Sequence, residues 1–177
     1  EVKELTAYLL SNIDIKTFPI VEGLPQALEQ YGRYTREEIF TIFGRQTAEK
    51  RMQGSVSGVF NIEERNTELL FVTLNKSDKD FSVSTMYDDY VVSERQFHWK
   101  SKNTDTHEGR GKRYVEQAIN KKKFLLFVRA DKTDGFNNTC PFYCFGLVDY
   151  ISSRDDKPMS IDWHMHHPIL PQFIKAV

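Results

Sequence analysis

The sequence predicts an α+β domain: a curved, mixed or antiparallel β-sheet, barrel-like in form, with N-terminal helices packed against it. Three observations carry this expectation. A well-bounded helical stretch stands near the N-terminus, and about six short runs rich in β-branched and aromatic residues follow it. Helical patterns do not alternate with those runs, as a doubly wound parallel sheet would require.

Taken in order, Val2, Leu5 and Leu9 share one stripe at helical spacing. Residues 14–28 contain Pro19, Gly23 and Pro25 and read as an extended connector. The next element is better specified. Thr35 is placed as an N-cap with Glu38 three residues on, the pairing in which each side chain satisfies a backbone donor of the other. Tyr34 and Ile39 are spaced as a hydrophobic staple, and Gly44 suits the left-handed position after the last turn. A helix from Arg36 to Phe43 is therefore expected. Strands are expected at Val56–Ile62, Glu68–Asn75, Asp89–Ser93, Lys123–Arg129, Pro141–Ile151 and Met159–His164. Gly58 marks a bulge in the first. In the last, Ile161, Trp163 and Met165 alternate with Asp162, His164 and His166, as in a half-buried strand. Two long polar connections, Asn75–Asp88 and Ser101–Arg113, exceed the usual loop length and are candidates for function.

The 177 residues suffice for one core without disulfides or metal. With 40% hydrophobic, 13% aromatic and 28% charged residues, the chain is neither disordered nor collagen-like. No apolar run approaches the roughly 18 residues of a spanning helix, and no signal-peptide pattern opens the chain, so no membrane is expected as partner. Two cysteines make no disulfide framework, which points to a reducing, cytoplasmic setting. The chain begins with Glu1 rather than methionine and is expected to be a piece of a longer protein.

Net charge is −1, but its distribution is uneven. From Arg95 to Lys132 eleven basic residues stand against four acidic ones, +7, leaving −8 for the rest. A positive middle segment is what a phosphate-facing surface needs; a solvated lysine-rich loop at Lys121–Lys123 is the alternative.

Catalytic and metal motifs are sparse. Cys140, Cys144, His164 and His166 supply zinc-type donors, but their spacing matches no familiar zinc module. Cys144 within PFYCFG is expected in the core, and the two histidines on a solvent or ligand face. Asp88 and Asp89 are adjacent and would point oppositely on a strand, so they make no metal-holding pair. No G-x-S-x-G, poised cysteine or P-loop is present. No catalytic residue, cofactor or metal is expected.

What remains is polar and aromatic. Asn75, Lys76, Ser77 and Lys79 open one loop, and Tyr87, Asp89 and Tyr90 close it. Then Phe97, His98, Trp99, Lys100, Ser101, Lys102 and Asn103 pass into a basic loop with Arg110, Lys112, Arg113 and Tyr114. Rings beside cations are what nucleic-acid surfaces use, the rings stacking on bases and the cations holding phosphates, while an amide such as Asn75 or Asn103 reads a base edge. Phe97 and Trp99 can instead alternate inward as core, leaving His98 outside.

Longer blocks carry a resemblance. RYTREEIFTIFG (Arg33–Gly44), TAEK (Thr47–Lys50), NTELLFVTLNKSDKDFS (Asn66–Ser82), YDDYVVS (Tyr87–Ser93) and FHWKSKN (Phe97–Asn103) open the series. GKRY (Gly111–Tyr114), LLFVRADK (Leu125–Lys132), FGLVDYISS (Phe145–Ser153) and PMSIDWHMHHP (Pro158–Pro168) continue it. In this order they resemble the DUF3427 family, whose members usually form the C-terminal end of bacterial superfamily 2 (DEAD/DEAH-box) helicases, often with a phospholipase-D-like nuclease module. The resemblance implies two parts. Residues 1–32 would be the helical tail and connector of an upstream helicase core, and residues 33–177 the DUF3427-like α+β domain.

The expected function is a non-catalytic nucleic-acid-binding accessory domain, recognising substrate or a modified base, in a helicase or nuclease of DNA defence or repair. DNA and the helicase core of the same polypeptide are the expected partners. Asn75, Lys76, Tyr87, Tyr90, His98, Trp99, Lys100, Ser101, Lys102, Asn103, Arg110, Lys112 and Arg113 are the binding candidates. A protein-docking or oligomerisation domain is the first alternative, and a metal-dependent nuclease the second.

Overall fold

The computed structural model describes residues 28–47, 49–50, 58–76 and 89–174. The expected helix at Val2–Leu10, residues 14–27 of the expected connector and Tyr87 lie outside them.

The capping box forms as the sequence predicts. The Glu38 N–H donates to Thr35 Oγ1, and the Thr35 N–H donates to Glu38 Oε2 at 2.7 Å. Helix α1 then spans Arg36–Ile42. Gly44, at φ +68°, ends it: Arg45 N–H reaches Phe40 C=O and Gly44 N–H reaches Thr41 C=O, so two terminal carbonyls are satisfied.

Eight strands form one mixed sheet. They are β1 (Arg33–Tyr34), β2 (Val59–Ile62), β3 (Thr67–Thr73), β4 (Tyr90–Ser93), β5 (Gln96–Lys100), β6 (Lys123–Arg129), β7 (Phe142–Arg154) and β8 (Ser160–Met165). Two single-turn helices, α2 (Lys112–Val115) and α3 (Gln117–Asn120), lie between β5 and β6. The strand order is β2-β3-β6-β7-β8-β5-β4, and β1 pairs with the start of β7. All pairs are antiparallel except β3 with β6. β5, read from sequence only as an aromatic run, joins β4 to β8.

Two cores divide the sheet by the period-two alternation of its strands. Leu70, Val72, Phe124, Leu126 and Val128 face one side with Phe97, Trp99, Ile161 and Trp163. Because β3 and β5 stand far apart in the strand order yet feed this one cluster, the sheet curls around it. Leu69, Phe71, Leu125 and Phe127 face the other side, where Ile39 and Phe40 of α1 and its C-cap Phe43 pack upon them. Burying three such side chains contributes roughly 1.5–3 kcal/mol each. Coverage of both faces explains why β3 and β6 read as unbroken apolar runs.

Two corrections follow. The sheet does not close into a barrel, since its path ends in β2 and β4, which do not pair with each other. Among the described residues one N-terminal helix, not several, packs on it. Packing also begins before Arg33: Leu28 is fully buried with α1, and Gln30 Nε2 donates to Phe145 C=O at 2.8 Å. That contact sits at a bulge where Phe145 is the extra residue of β7, and Gly146, at φ +83°, lets Gln30 approach. No helix among the described residues is long and apolar enough to cross a membrane.

Candidate nucleic-acid interface

The sequence-predicted residues fall into three environments. The first is a row across the outer face of β4, β5, β8 and β7, where Tyr90, His98, Asp162 and Ser152 are successive cross-strand partners. The Tyr90 ring stacks on His98 with centroids 4.7 Å apart and is itself 46% exposed. His98 is buried beneath it, with Nδ1 2.7 Å from Asp162 Oδ1. Ser152 Oγ donates to Asp162 Oδ2. Partial burial opposes ionisation of the Asp162 carboxyl, but the hydrogen bonds from His98 and Ser152 outweigh it and hold the group below its usual range. Beside this row Lys76 Nζ meets Asp89 Oδ2 at 2.7 Å, with the two side chains 10% and 4% exposed. Asp89 Oδ1 accepts the Lys100 N–H. Burial pushes the Asp89 carboxyl up against the opposing pull of the Lys76 charge. Lys76 is thus committed to an interior ion pair.

The second environment is the loop after β5. Ser101 exchanges two bonds with Met159, its N–H donating to the Met159 carbonyl and its Oγ accepting the Met159 N–H. Asp105 C=O accepts the Lys157 N–H, and Asp156 Oδ1 accepts the His107 N–H. These contacts fasten the loop to the β7–β8 turn. Gly111 makes the fit close, because a Cβ there would fall 2.0 Å from Met159 Sδ. From this anchored loop Arg110 and Lys112 project outward, their side chains 62% and 59% exposed. Arg110 donates to Thr104 Oγ1, and Lys112 lies 3.3 Å from Glu116. Lys102 and Asn103 are half-buried in the same loop.

The third environment is interior. Arg113 Nε stands 2.7 Å from Glu68 Oε1, whose carboxylate is 1% exposed and also receives Lys122 at 3.3 Å. Arg113 Nη2 donates to the Tyr114 hydroxyl at 2.7 Å. Burial lowers the Arg113 pKa, but Tyr114, Glu68 and Asp105 together hold it above its ordinary value. Burial likewise raises the Tyr114 phenol, which stays protonated and donates to buried Asp105. Trp99 belongs here too: it is 4% exposed and packs edge-on against Tyr114. Asn75 lies elsewhere, its amide donating to Asp131 Oδ1.

The structure therefore brings together Lys76, Tyr90, His98 and Lys100, and separately places Ser101, Lys102, Asn103, Arg110 and Lys112 on one anchored loop. Several polar partners escaped the sequence reading: Asp162 beneath the row, and His107, Ser153 and Asp156 at the loop anchor. An alternating strand pattern marks Asp162 as outward-facing; no sequence signal marks the others.

The model of the domain of unknown function DUF3427 matches residues 28–176. The chain belongs to this family. No curated protein compared with it matches. The match takes in Leu28 and Gln30, both of which pack within this DUF3427 domain. Among its described residues no three carboxylate, histidine or cysteine side chains stand together as a metal ion would require. Cys144 is buried beside Phe127 and its thiol is pushed up to about 12 by burial, whereas His164 is exposed and His166 is bonded to Asp149.

Proposed function

We propose that this DUF3427 domain is a nucleic-acid-binding accessory module, with DNA as its ligand and a helicase core as the setting the family implies. The carrying observation is the anchored loop. Ser101, Asp105 and His107 fix its backbone while Arg110 and Lys112 remain exposed, so two cations are held in place before a ligand arrives and lose little freedom on binding. Lys100, half-buried, and Arg154, 58% exposed, flank Ser160 in the register next to the Tyr90 row. An exposed tyrosine is thereby set beside the cations, the combination that single strands use for stacking and phosphate contact. Arg113 and Lys122 are assigned to Glu68 rather than to phosphate.

The test is a salt series with labelled single- and double-stranded DNA, using the whole chain, the Arg110→Ala/Lys112→Ala variant and Arg113→Ala. Two lost phosphate contacts should flatten the slope of log affinity against log salt by up to about 1.4 for single strands or 1.8 for duplex, without altering thermal stability. Arg113→Ala should lower thermal stability instead. An unchanged slope in the double variant, or no binding by the whole chain at low salt, would remove this reading.

Exposed Val115 and Ile119, one helical turn apart across α2 and α3, favour the docking alternative. Capture of a helicase core by a chain that does not bind DNA would establish it.

A further inference from the structure

Where the loop after β5 meets the end of β7 and the β7–β8 turn, three side chains form a chain of hydrogen bonds. Ser153 Oγ lies 2.8 Å from His107 Nε2. His107 Nδ1 lies 2.9 Å from Asp156 Oδ1, which also accepts the His107 backbone N–H at 2.8 Å. The ionised carboxylate requires a proton on Nδ1, and that leaves Nε2 as the acceptor of the Ser153 hydroxyl proton. Tyr150 O–H completes the chain, 2.7 Å from Ser153 Oγ; with the serine proton given to histidine, the tyrosine is the donor of that pair. A nucleophile bonded to a base, and the base oriented by an acid, is the arrangement by which a serine is activated. The group is accessible, with the His107 side chain 37% and the Asp156 side chain 50% exposed. The hydrogen bonds from His107 hold the Asp156 carboxyl below its usual range. Tyr150 also lines a groove of about 440 Å³ with Val115, Gln117, Ala118, Lys121, Lys122 and Asp149, so the phenol bonded to Ser153 is on a ring that forms one wall of that groove.

We propose that Ser153 is an activated nucleophile toward esters, with His107 as its base and Asp156 as the residue that orients the base. The substrate class is a carboxylic ester whose apolar part lies on Val115, Ala118 and the Tyr150 ring. Ser153 Oγ forms a bond to the carbonyl carbon while its proton passes to His107 Nε2. The Tyr150 O–H follows the charge that develops on the carbonyl oxygen. The bond from carbon to the alkoxy oxygen breaks, and the leaving alcohol takes the proton from His107. Water, deprotonated by the same nitrogen, then attacks the acyl-serine, releasing the carboxylic acid and restoring the Ser153 hydroxyl. Ester and water give acid and alcohol, with no further reactant. This inference is independent of nucleic-acid binding.

The experiment treats the whole chain with a fluorophosphonate probe and reads the adduct by intact mass and peptide mapping, with p-nitrophenyl acetate hydrolysis in parallel. One adduct on Ser153 is expected, absent in Ser153→Ala and retained in Ser152→Ala. Asp156→Asn changes a half-exposed group, so it should keep the melting temperature while slowing labelling at least tenfold. His107→Gln should slow it at least as much. No adduct on the folded chain, an adduct that persists in Ser153→Ala, or a labelling rate unchanged in Asp156→Asn would overturn the proposal and leave the three residues as an anchor of the loop.

Discussion

Replacing Lys76 by methionine separates a structural lysine from a phosphate-binding one. The Asp89 carboxylate is 4% exposed and the Lys76 ammonium 10% exposed, at 2.7 Å from each other. Screening by solvent is therefore weak. Methionine keeps the stem volume but removes the charge. Asp89 then keeps the Lys100 N–H and the nearby His98 ring, with no cation bonded to Oδ2. Removing one partner of such a pair costs about 3–5 kcal/mol, because the remaining charge stays buried. For a chain of this size each kcal/mol shifts the melting temperature by about 2–4 °C, so a fall on the order of 10 °C is expected at pH 8.

The pH dependence supplies a second, independent reading. Burial already raises the Asp89 pKa above its unfolded value. A carboxyl raised in this way contributes stability when protonated, and that contribution is lost as pH rises through the folded pKa. Without Lys76 the folded pKa climbs further, so the deficit of Lys76→Met should shrink at pH 4 and widen by pH 8. Lys76→Met/Asp89→Asn should recover much of the loss, since an amide carries no charge to strand. Circular-dichroism melts across that pH range decide the matter. An unchanged melting temperature at pH 8 together with weakened DNA binding would refute the argument and return Lys76 to the phosphate contacts.

Three further outcomes are expected. Tyr90→Ala should leave the melting temperature nearly unchanged and weaken single-stranded DNA by about 1–3 kcal/mol per stacked base, measured by fluorescence anisotropy. Gly146→Ala forces a side chain into φ +83° and sets its Cβ 2.3 Å from Gln30 Oε1, so a denaturant titration should show a loss of at least about 2 kcal/mol. Burial raises the Cys144 thiol from its ordinary 9.0 to about 12, so the unfolded chain loses that proton first and stability falls as pH rises from about 9 to 12. The contribution reaches about 4 kcal/mol, and Cys144→Ala should flatten the slope of stability against pH in that window.

The legible parts of the fold are those decided within a few residues. Thr35, Glu38 and Gly44 specify both ends of α1 through bonds to their own turn, and the runs in β3 and β6 announce strands buried on both faces. β5 alternates Gln96, His98 and Lys100 with Phe97 and Trp99, but so short a run fits a stacking surface as well as a strand, and the Tyr90 ring and Asp162 carboxylate that cover and bond His98 come from other segments. The parallel pairing of β3 with β6 joins segments separated by the β4–β5 hairpin and both single-turn helices, and no local pattern encodes it. The candidate site was legible in composition but not in availability. Counting charges from Arg95 to Lys132 gives an excess of cations, yet Arg113 is neutralised by Glu68, 45 residues away, and His98 is held by Asp162, 64 residues away. A window along the chain contains the cation and not its partner. The tertiary ion pairs therefore sort the basic residues: Lys76 and Arg113 pair with buried carboxylates, while Arg110 and Lys112 stay exposed, as the proposed interface requires.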